Sequence, residues 1–256
     1  ATHGRGIYTS ECFRELPLFL TIYAGLEGPF DAGSQTMNTA IANNGDLPNA
    51  QPYNTAPWHY TGNEVLDPSI PLTDIVDWVL IELREIPNDP ATMVSRRAAV
   101  LMTDGIILDV NVNGGGPNTH VNMCLPTVDV HVVIHHRNHL SIASLDPIPA
   151  FTTNMDLDFR NIPGSPSPAA IFVDPTNPNP PVRTLGGWEL MVAGDATSDN
   201  QVNSIDLGAI ISLPNSSNGY LWEDINLNGI VEYPPISSPN DIDLAFVNYF
   251  WSSHVK

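Results

Sequence analysis

The chain has 256 residues, 28 acidic against nine basic side chains, and a formal net charge of −19. That imbalance argues against nucleic acid and anionic membrane surfaces as partners, because both carry the same sign of charge. No apolar window reaches the roughly 20 residues of a membrane-spanning helix, and 24 prolines with 18 glycines point to a turn-rich β protein.

Residues 1–17, ATHGRGIYTSECFRELP, read as an N-terminal extension. Ala rather than Met at the start is consistent with a processed secretory precursor. The stretch from Gly6 to Phe13 could lie as a donated strand on the sheet edge of another copy, anchored by Ile7 and Phe13. Such a contact does not close on itself, so repetition builds a filament. The other readings are a first strand of the chain's own sheet and a frayed tail. Cys12 and Cys124 are the only cysteines. A bond within one chain would close a loop of about a hundred residues and contribute about 4 to 5 kcal/mol. A bond between subunits and two free thiols stay open.

From residue 18 the pattern predicts strands. Leu18 to Gly28 begins with a β-rich apolar run. In Asp74 to Glu85, Val79, Ile81 and Leu83 face one way and Trp78, Leu80 and Glu82 the other. AAVLM and IILDV flank Thr103-Asp104-Gly105, where Asp-Gly signals a hairpin. Val130, Val132 and Ile134 form the apolar side of a further strand. Gly114-Gly115-Gly116 reads as a flexible connection and Pro163 to Pro181 as an irregular surface segment. Strands without intervening helices predict an antiparallel β-sandwich over 18–190.

Chemistry is sparse in this region. His131 and His135 share a strand face but lie roughly 13 Å apart, too far for one ion. His136 and His139 converge at a turn with no Cys or Glu beside them, so structural hydrogen bonding is expected. Asp74 with Asp77, and Asp156 with Asp158, have the composition of a glycosidase pair, yet solvated faces are the default. Trp58 and Tyr60 could stack on a sugar or anchor a loop. No nucleophile elbow, phosphate-binding loop or Cys-His pairing is present, so no catalysis is expected. Asn215-Ser216-Ser217 is a glycosylation sequon.

The last segment, 191–256, carries the clearest pattern. In GDATSDNQVNSIDLGAII, oxygen-bearing side chains occupy loop positions 1, 3, 5 and 12: Asp195, Thr197, Asp199 and Asp206. The Gln201 carbonyl adds one more oxygen, and Asn200 takes the turn position where glycine is usual. This spacing wraps a hard cation, with calcium the natural occupant. Leu207, Ile210 and Ile211 then read as a short packing helix. The pattern recurs with Asp224, Asn226 and Asn228, Gly229 at the turn and the Ile230 carbonyl. NDIDLAFV from Asn240 restates NSIDLGAI from Asn203, so Asp243 is expected to close the second loop as Asp206 closes the first. Seven residues intervene between Glu232 and Asn240. The face Ile242, Phe246, Tyr249 and Phe250 is expected to pack on Leu207 and Ile210 or on the sandwich. Few carboxylates per loop imply a Kd on the order of 0.1 to 1 mM, suited to extracellular calcium.

This duplication resembles the dockerin-type calcium repeat, an EF-hand-like loop with one following helix. More widely, LEGPFD (Leu26 to Asp31), LPNAQPYNTAPWHYTGNE (Leu47 to Glu64), VDWVLIELRE (Val76 to Glu85), RRAAVLMTDG (Arg96 to Gly105) and HHRNHL (His135 to Leu140) precede it in order. That series resembles a secreted bacterial β-sandwich region near the C-termini of large surface proteins, followed by a dockerin-like module. The resemblance implies an extracellular address and two calcium ions. The expected function is a non-enzymatic, self-assembling surface filament subunit; the alternative is an accessory module binding carbohydrate or a cohesin-like receptor. Dockerin recognition relies on Ser-Thr pairs at loop positions 10 and 11, where this chain has Ser204-Ile205 and Asp241-Ile242.

Overall fold

A computed structural model describes residues 17–110, 118–177, 179–235, 240–253 and 255. The donated-strand segment, Cys12 and the three-glycine connection lie outside the described residues. In chain order the strands begin with β1 (Leu18–Tyr23), β2 (Phe30–Asp31) and β3 (Thr36–Met37), followed by α1 (Ala40–Asn44). Next come β4 (Ile75–Arg84), β5 (Met93–Met102), β6 (Ile107–Leu108), β7 (Val121–Met123), β8 (His131–His136) and β9 (His139–Ala143). The chain continues through β10 (Asn154–Asp158), β11 (Val182–Leu185), β12 (Trp188–Met191), α2 (Ser204–Ser212), β13 (Ser217–Asn218), β14 (Ile230–Val231) and α3 (Asp241–Val247).

The protein is mainly β. A five-stranded antiparallel sheet runs β6-β5-β4-β8-β9, and a three-stranded sheet runs β10-β1-β7. One pairing departs from the all-antiparallel expectation: β10 lies parallel to β1, with Phe19 opposite Asn154 and Tyr23 opposite Asp158. A parallel neighbour needs a long connection, and the chain between β1 and β10 supplies it.

The two sheets meet through one apolar core. Leu18, Leu20 and Ile22 of β1 pack with Val79, Ile81 and Leu83 of β4 and with Val132 and Ile134 of β8. This face-to-face arrangement is consistent with a sandwich. The alternation read in β4 is present: Trp78 and Leu80 project to the opposite side, into a second cluster with Tyr53, Trp58 and Val100. Residues 40–70 cover that outer face, so all ten residues of β4 are buried. The Asp104-Gly105 turn joins β5 to β6, and Gly105 adopts a left-handed φ of 87°.

The C-terminal segment has its own small core, in which Ala196, Ile210, Ile225, Val231 and Ala245 are buried and Leu207, Ile242 and Leu244 pack alongside. Two packing expectations fail here. Ile211 is exposed, because a helix as short as α2 buries only one narrow stripe. Phe246 and Phe250 are exposed as well. The helix ends at Asn248, whose buried side chain donates to Glu27 and to the Ala193 carbonyl, so the helical spacing does not continue to Phe250. Among the described residues, no helix is long and apolar enough to cross a membrane.

Candidate metal centre

The first loop is organised by its own acids. The Asp195 carboxylate accepts the N–H groups of Asp199 (3.0 Å) and Asn200 (2.9 Å), and Asp199 accepts that of Gln201 (2.9 Å). These bonds bend the chain tightly, which Ser198 and Asn200 accommodate at left-handed φ values of 54° and 64°. Asp206 closes the loop by accepting the Thr197 N–H (3.0 Å) and hydroxyl (2.8 Å). It also accepts the Asn203 N–H (2.8 Å) as half of a capping box that starts α2. One carboxylate oxygen from each of Asp195, Asp199 and Asp206 lies within 4.8 Å of the others. Gln201 continues into an isolated antiparallel bridge with Ser252.

The second loop repeats the construction bond for bond. Asp224 accepts the N–H groups of Asn228 (3.1 Å) and Gly229 (2.8 Å), and Asn228 accepts that of Ile230 (2.8 Å). Asn226 also accepts the Asn228 N–H (2.9 Å). Leu227 and Gly229 are left-handed at 57° and 88°, the same two loop positions as Ser198 and Asn200. The closing residue differs from the sequence register. Asp241 turns back onto the loop, accepting the N–H groups of Ile225 (2.8 Å), Asn226 (3.1 Å) and Glu232 (2.6 Å). Asp243 is half-buried on the first turn of α3, where its N–H donates to the Asn240 side chain (3.1 Å). The inserted residues let the chain reach the loop two positions earlier than alignment with the first repeat suggests.

Asp195, Asp206, Asp224 and Asp241 are each at most 1% exposed. Burial, with Asp206 nearby, pushes Asp195 well above the ordinary carboxylate range, and burial raises Asp206. Burial also lifts Asp224 to about 7, against the pull of Arg137 and with Asp241 adding to the rise. Asp241 is lifted by burial to about 6, although three backbone N–H groups favour its charged form. Buried acids this costly to ionise are neutralised either by a proton or by a cation. The N–H bonds do not preclude one, because each carboxylate offers about four acceptor sites. Oxygen donors without His or Cys select a hard ion.

Both loops are fastened to the same turn, between β8 and β9. The Asn138 carbonyl accepts the N–H groups of Gly194 and Asp195, both at 3.1 Å, while its side-chain amide donates to the carbonyls of Trp222 (3.0 Å) and Asp224 (2.7 Å). Thus the first residue of each loop is pinned to one buried asparagine. Arg137 donates to the Leu221 carbonyl and accepts from the Ser198 hydroxyl through its own carbonyl. Gly28 lies against the second loop: an added Cβ would fall 2.0 Å from the Ile225 carbonyl oxygen. That contact explains the glycine in LEGPFD.

The remaining candidates are engaged structurally. His136 and His139 meet through their Nδ1 atoms at 3.0 Å, with His136 Nε2 on Asp77 (3.2 Å) and His139 Nε2 accepting the Gly28 N–H (3.1 Å). Asp77 also holds Arg137 (2.9 Å) and Tyr220 (2.7 Å). Burial would raise Asp77, yet Arg137 and His136 hold it at about 2. Asp158 is paired with Arg160 and Ser165, while Asp74 and Asp156 are exposed. Trp58 packs edge-on to Tyr53, and the Tyr60 hydroxyl donates to Glu64 (2.6 Å). The Asn215 amide is hydrogen-bonded both ways to the Tyr233 backbone. Cys124 is disulfide-bonded.

Sequence reasoning missed Asp241, Asn138 and Gly28. Asp241 lies two positions before Asp243, and the seven residues between Glu232 and Asn240 were the signal that register need not hold. The other two act through tertiary contact, which leaves no local mark. No protein-family model matches this chain, and comparisons with curated proteins and with solved structures give no match.

Proposed function

We propose that this chain is a non-enzymatic structural domain of the extracellular space, held in shape by two calcium ions, whose copies associate into a filament. The observation that carries the reading is the duplicated loop, in which buried carboxylates of like charge converge on backbone turned the same way twice. Asp195, Thr197, Asp199, Asp206 and the Gln201 carbonyl would hold the first ion. Asp224, Asn226, Asn228, Asp241 and the Ile230 carbonyl would hold the second. Calcium here neutralises charge and fixes the loops to the β body through Asn138. A disulfide at Cys124 suits an oxidising compartment, as do weak loops that fill only at millimolar calcium. Association through the N-terminal segment rests on its sequence pattern.

Purified full-length protein should gain thermal stability on adding calcium and lose it to EDTA. At ten times Kd each site adds about 1.4 kcal/mol, and two sites together raise Tm by roughly 5 to 10 °C for a chain of this size. Negative-stain images should show filaments that disappear when residues 1–16 are deleted. An unchanged Tm in EDTA removes the metal reading; monodisperse particles in calcium remove the filament.

A second reading, an accessory docking module, is favoured by one feature. The Phe246, Tyr249 and Phe250 rings contact one another at the surface, with Phe246 69% and Phe250 78% exposed. A cohesin-like receptor fits less well, because Asp241, at a recognition position, is turned into the loop.

A further inference from the structure

A second built region lies beside the first loop, over the outer face of the five-stranded sheet. That face is apolar at one end, with Trp78, Leu80 and Val100. At the other it carries Glu82, Arg84, Arg96 and His135, brought together by the β5-β4-β8 register. Above this charged end is a groove of about 320 Å³, with Trp58 in its wall and Asp199 of the first loop at its rim.

The charged groups at the groove are unevenly exposed. Glu82 is fully buried and shared between Arg84 (2.5 Å) and Arg96 (2.5 Å), with His135 3.4 Å away. Burial would raise the Glu82 carboxyl, but His135 and the two arginines hold it at about 2, so it is ionised; burial pushes His135 down. Glu82 within the groove and Asp199 at its rim together match the two guanidiniums, so a positive charge is left only when a cation takes up Asp199. Arg84 is buried, whereas the Arg96 side chain is 22% exposed. Its Nη1 donates to the Trp58 carbonyl (2.7 Å), and Nη2 makes no hydrogen bond among the described residues. In a chain with only nine basic side chains, two lie at this one groove beside an indole. The opposing charge is Asp199, which also stands at the fifth position of the first loop. An ion held there takes up that charge.

We propose that this groove binds a small organic carboxylate, no larger than a monosaccharide acid, through Arg96 and against Trp58, and that calcium in the first loop strengthens the binding. The calcium dependence rests on the reading of the first loop given above; the Arg96 contact does not. Arg96 Nη2 supplies a charge-assisted donor to a carboxylate, and the largely buried Trp58 gives the groove an apolar wall for the rest of the molecule.

Calorimetry on the full chain separates the two parts. Calcium alone is titrated first, then sodium glucuronate into calcium-loaded and EDTA-treated protein, with glucose as the neutral control. Glucuronate is expected to bind the calcium-loaded protein at least about tenfold more tightly than the EDTA-treated protein, roughly one unit charge at close range, and glucose not to bind. Arg96→Gln should abolish glucuronate binding while leaving the calcium isotherm and the far-UV circular dichroism unchanged, and Arg96→Lys should restore part of it. In the wild-type protein the glucuronate affinity should fall with added salt. Equal binding of glucose, no glucuronate binding in calcium, full affinity in a folded Arg96→Gln variant, or a salt-independent affinity would each overturn the site. If calcium binds yet glucuronate affinity is the same in EDTA, the coupling is overturned. If calcium itself does not bind, the metal reading falls and the coupling with it, while Arg96-dependent glucuronate binding still supports the groove.

Discussion

In the first loop three carboxylates converge, and one of them, Asp206, both closes the loop and completes the α2 capping box. Asn203 caps α2 with its side chain as Asn240 caps α3, but in the second loop the closing acid is Asp241, the residue after the cap, and it takes no part in a capping box. The backbone is the same in both, down to the two left-handed positions. The comparison teaches that the closing acid is selected by backbone N–H groups needing an acceptor, rather than by its place in a repeat. Loss of Asp206 therefore weakens closure and the α2 capping box together, leaving the Asn203 cap, whereas loss of Asp241 opens the second loop alone.

The largest effect expected from that difference is at the closing acids. Asp206→Ala removes half of the α2 capping box and orphans loop N–H groups, costing roughly 3 kcal/mol in EDTA, with a partial loss of helical signal in far-UV circular dichroism because the Asn203 cap remains. Asp241→Ala should cost roughly 2 kcal/mol and abolish the second calcium-binding step, with the helical signal retained. Asp243→Ala should stay within about 0.5 kcal/mol and keep both steps. If Asp243→Ala rather than Asp241→Ala removes the second step, the assignment is wrong.

Next in size is Gly28→Ala. The new methyl meets the Ile225 carbonyl, and overpacking of this kind costs about 1 to 3 kcal/mol. Calcium titration followed by NMR should show the second loop perturbed and the first unchanged; equal perturbation of both would contradict the contact.

The smallest effect is on pH dependence in EDTA. Asp224 at about 7 and Asp241 at about 6 stand above their ordinary 3.8. The folded protein therefore retains protons that the unfolded chain releases, so these groups destabilise the fold progressively as pH rises from about 4 to 7. Asp77 and Glu82, held at about 2, act in the opposite sense: their stabilisation is present above about 4 and lost as pH falls towards 2. Burial lowers His135, His136 and His139, so they oppose this trend, destabilising the fold as pH falls below about 6.5. The carboxylate contribution is therefore read as the Tm of the protein minus that of Asp224→Asn in EDTA, which should be higher by a few degrees at pH 5 than at pH 7.5. Calcium should shrink or reverse that gap, because ion and proton compete for the same oxygens. A pH-independent difference in EDTA would mean that Asp224 is hydrated.

Much of the β body was legible. The two-residue alternation of β4 assigns Val79 and Trp78 to opposite sides, where they lie, because strand geometry alone sets that pattern. Asp104-Gly105 marked its hairpin for an equally local reason, the positive φ. Oxygen spacing marked two turns whose backbones bend at the same left-handed positions. What failed was non-local. Phe246 and Phe250 have helical spacing, but Glu27, far away in sequence, ties down Asn248 where the helix ends. The parallel β1–β10 pairing joins segments more than a hundred residues apart. The groove beneath Asp199 draws on three strands and a loop, a convergence that no linear motif records.

Asn138 has one further consequence. The path from β12 into α2 passes the Asn138 carbonyl at Gly194 and Asp195, beside the side chain that holds Trp222 and Asp224. A force drawing the C-terminal segment off the β body would therefore load four hydrogen bonds of one residue at once instead of peeling them singly.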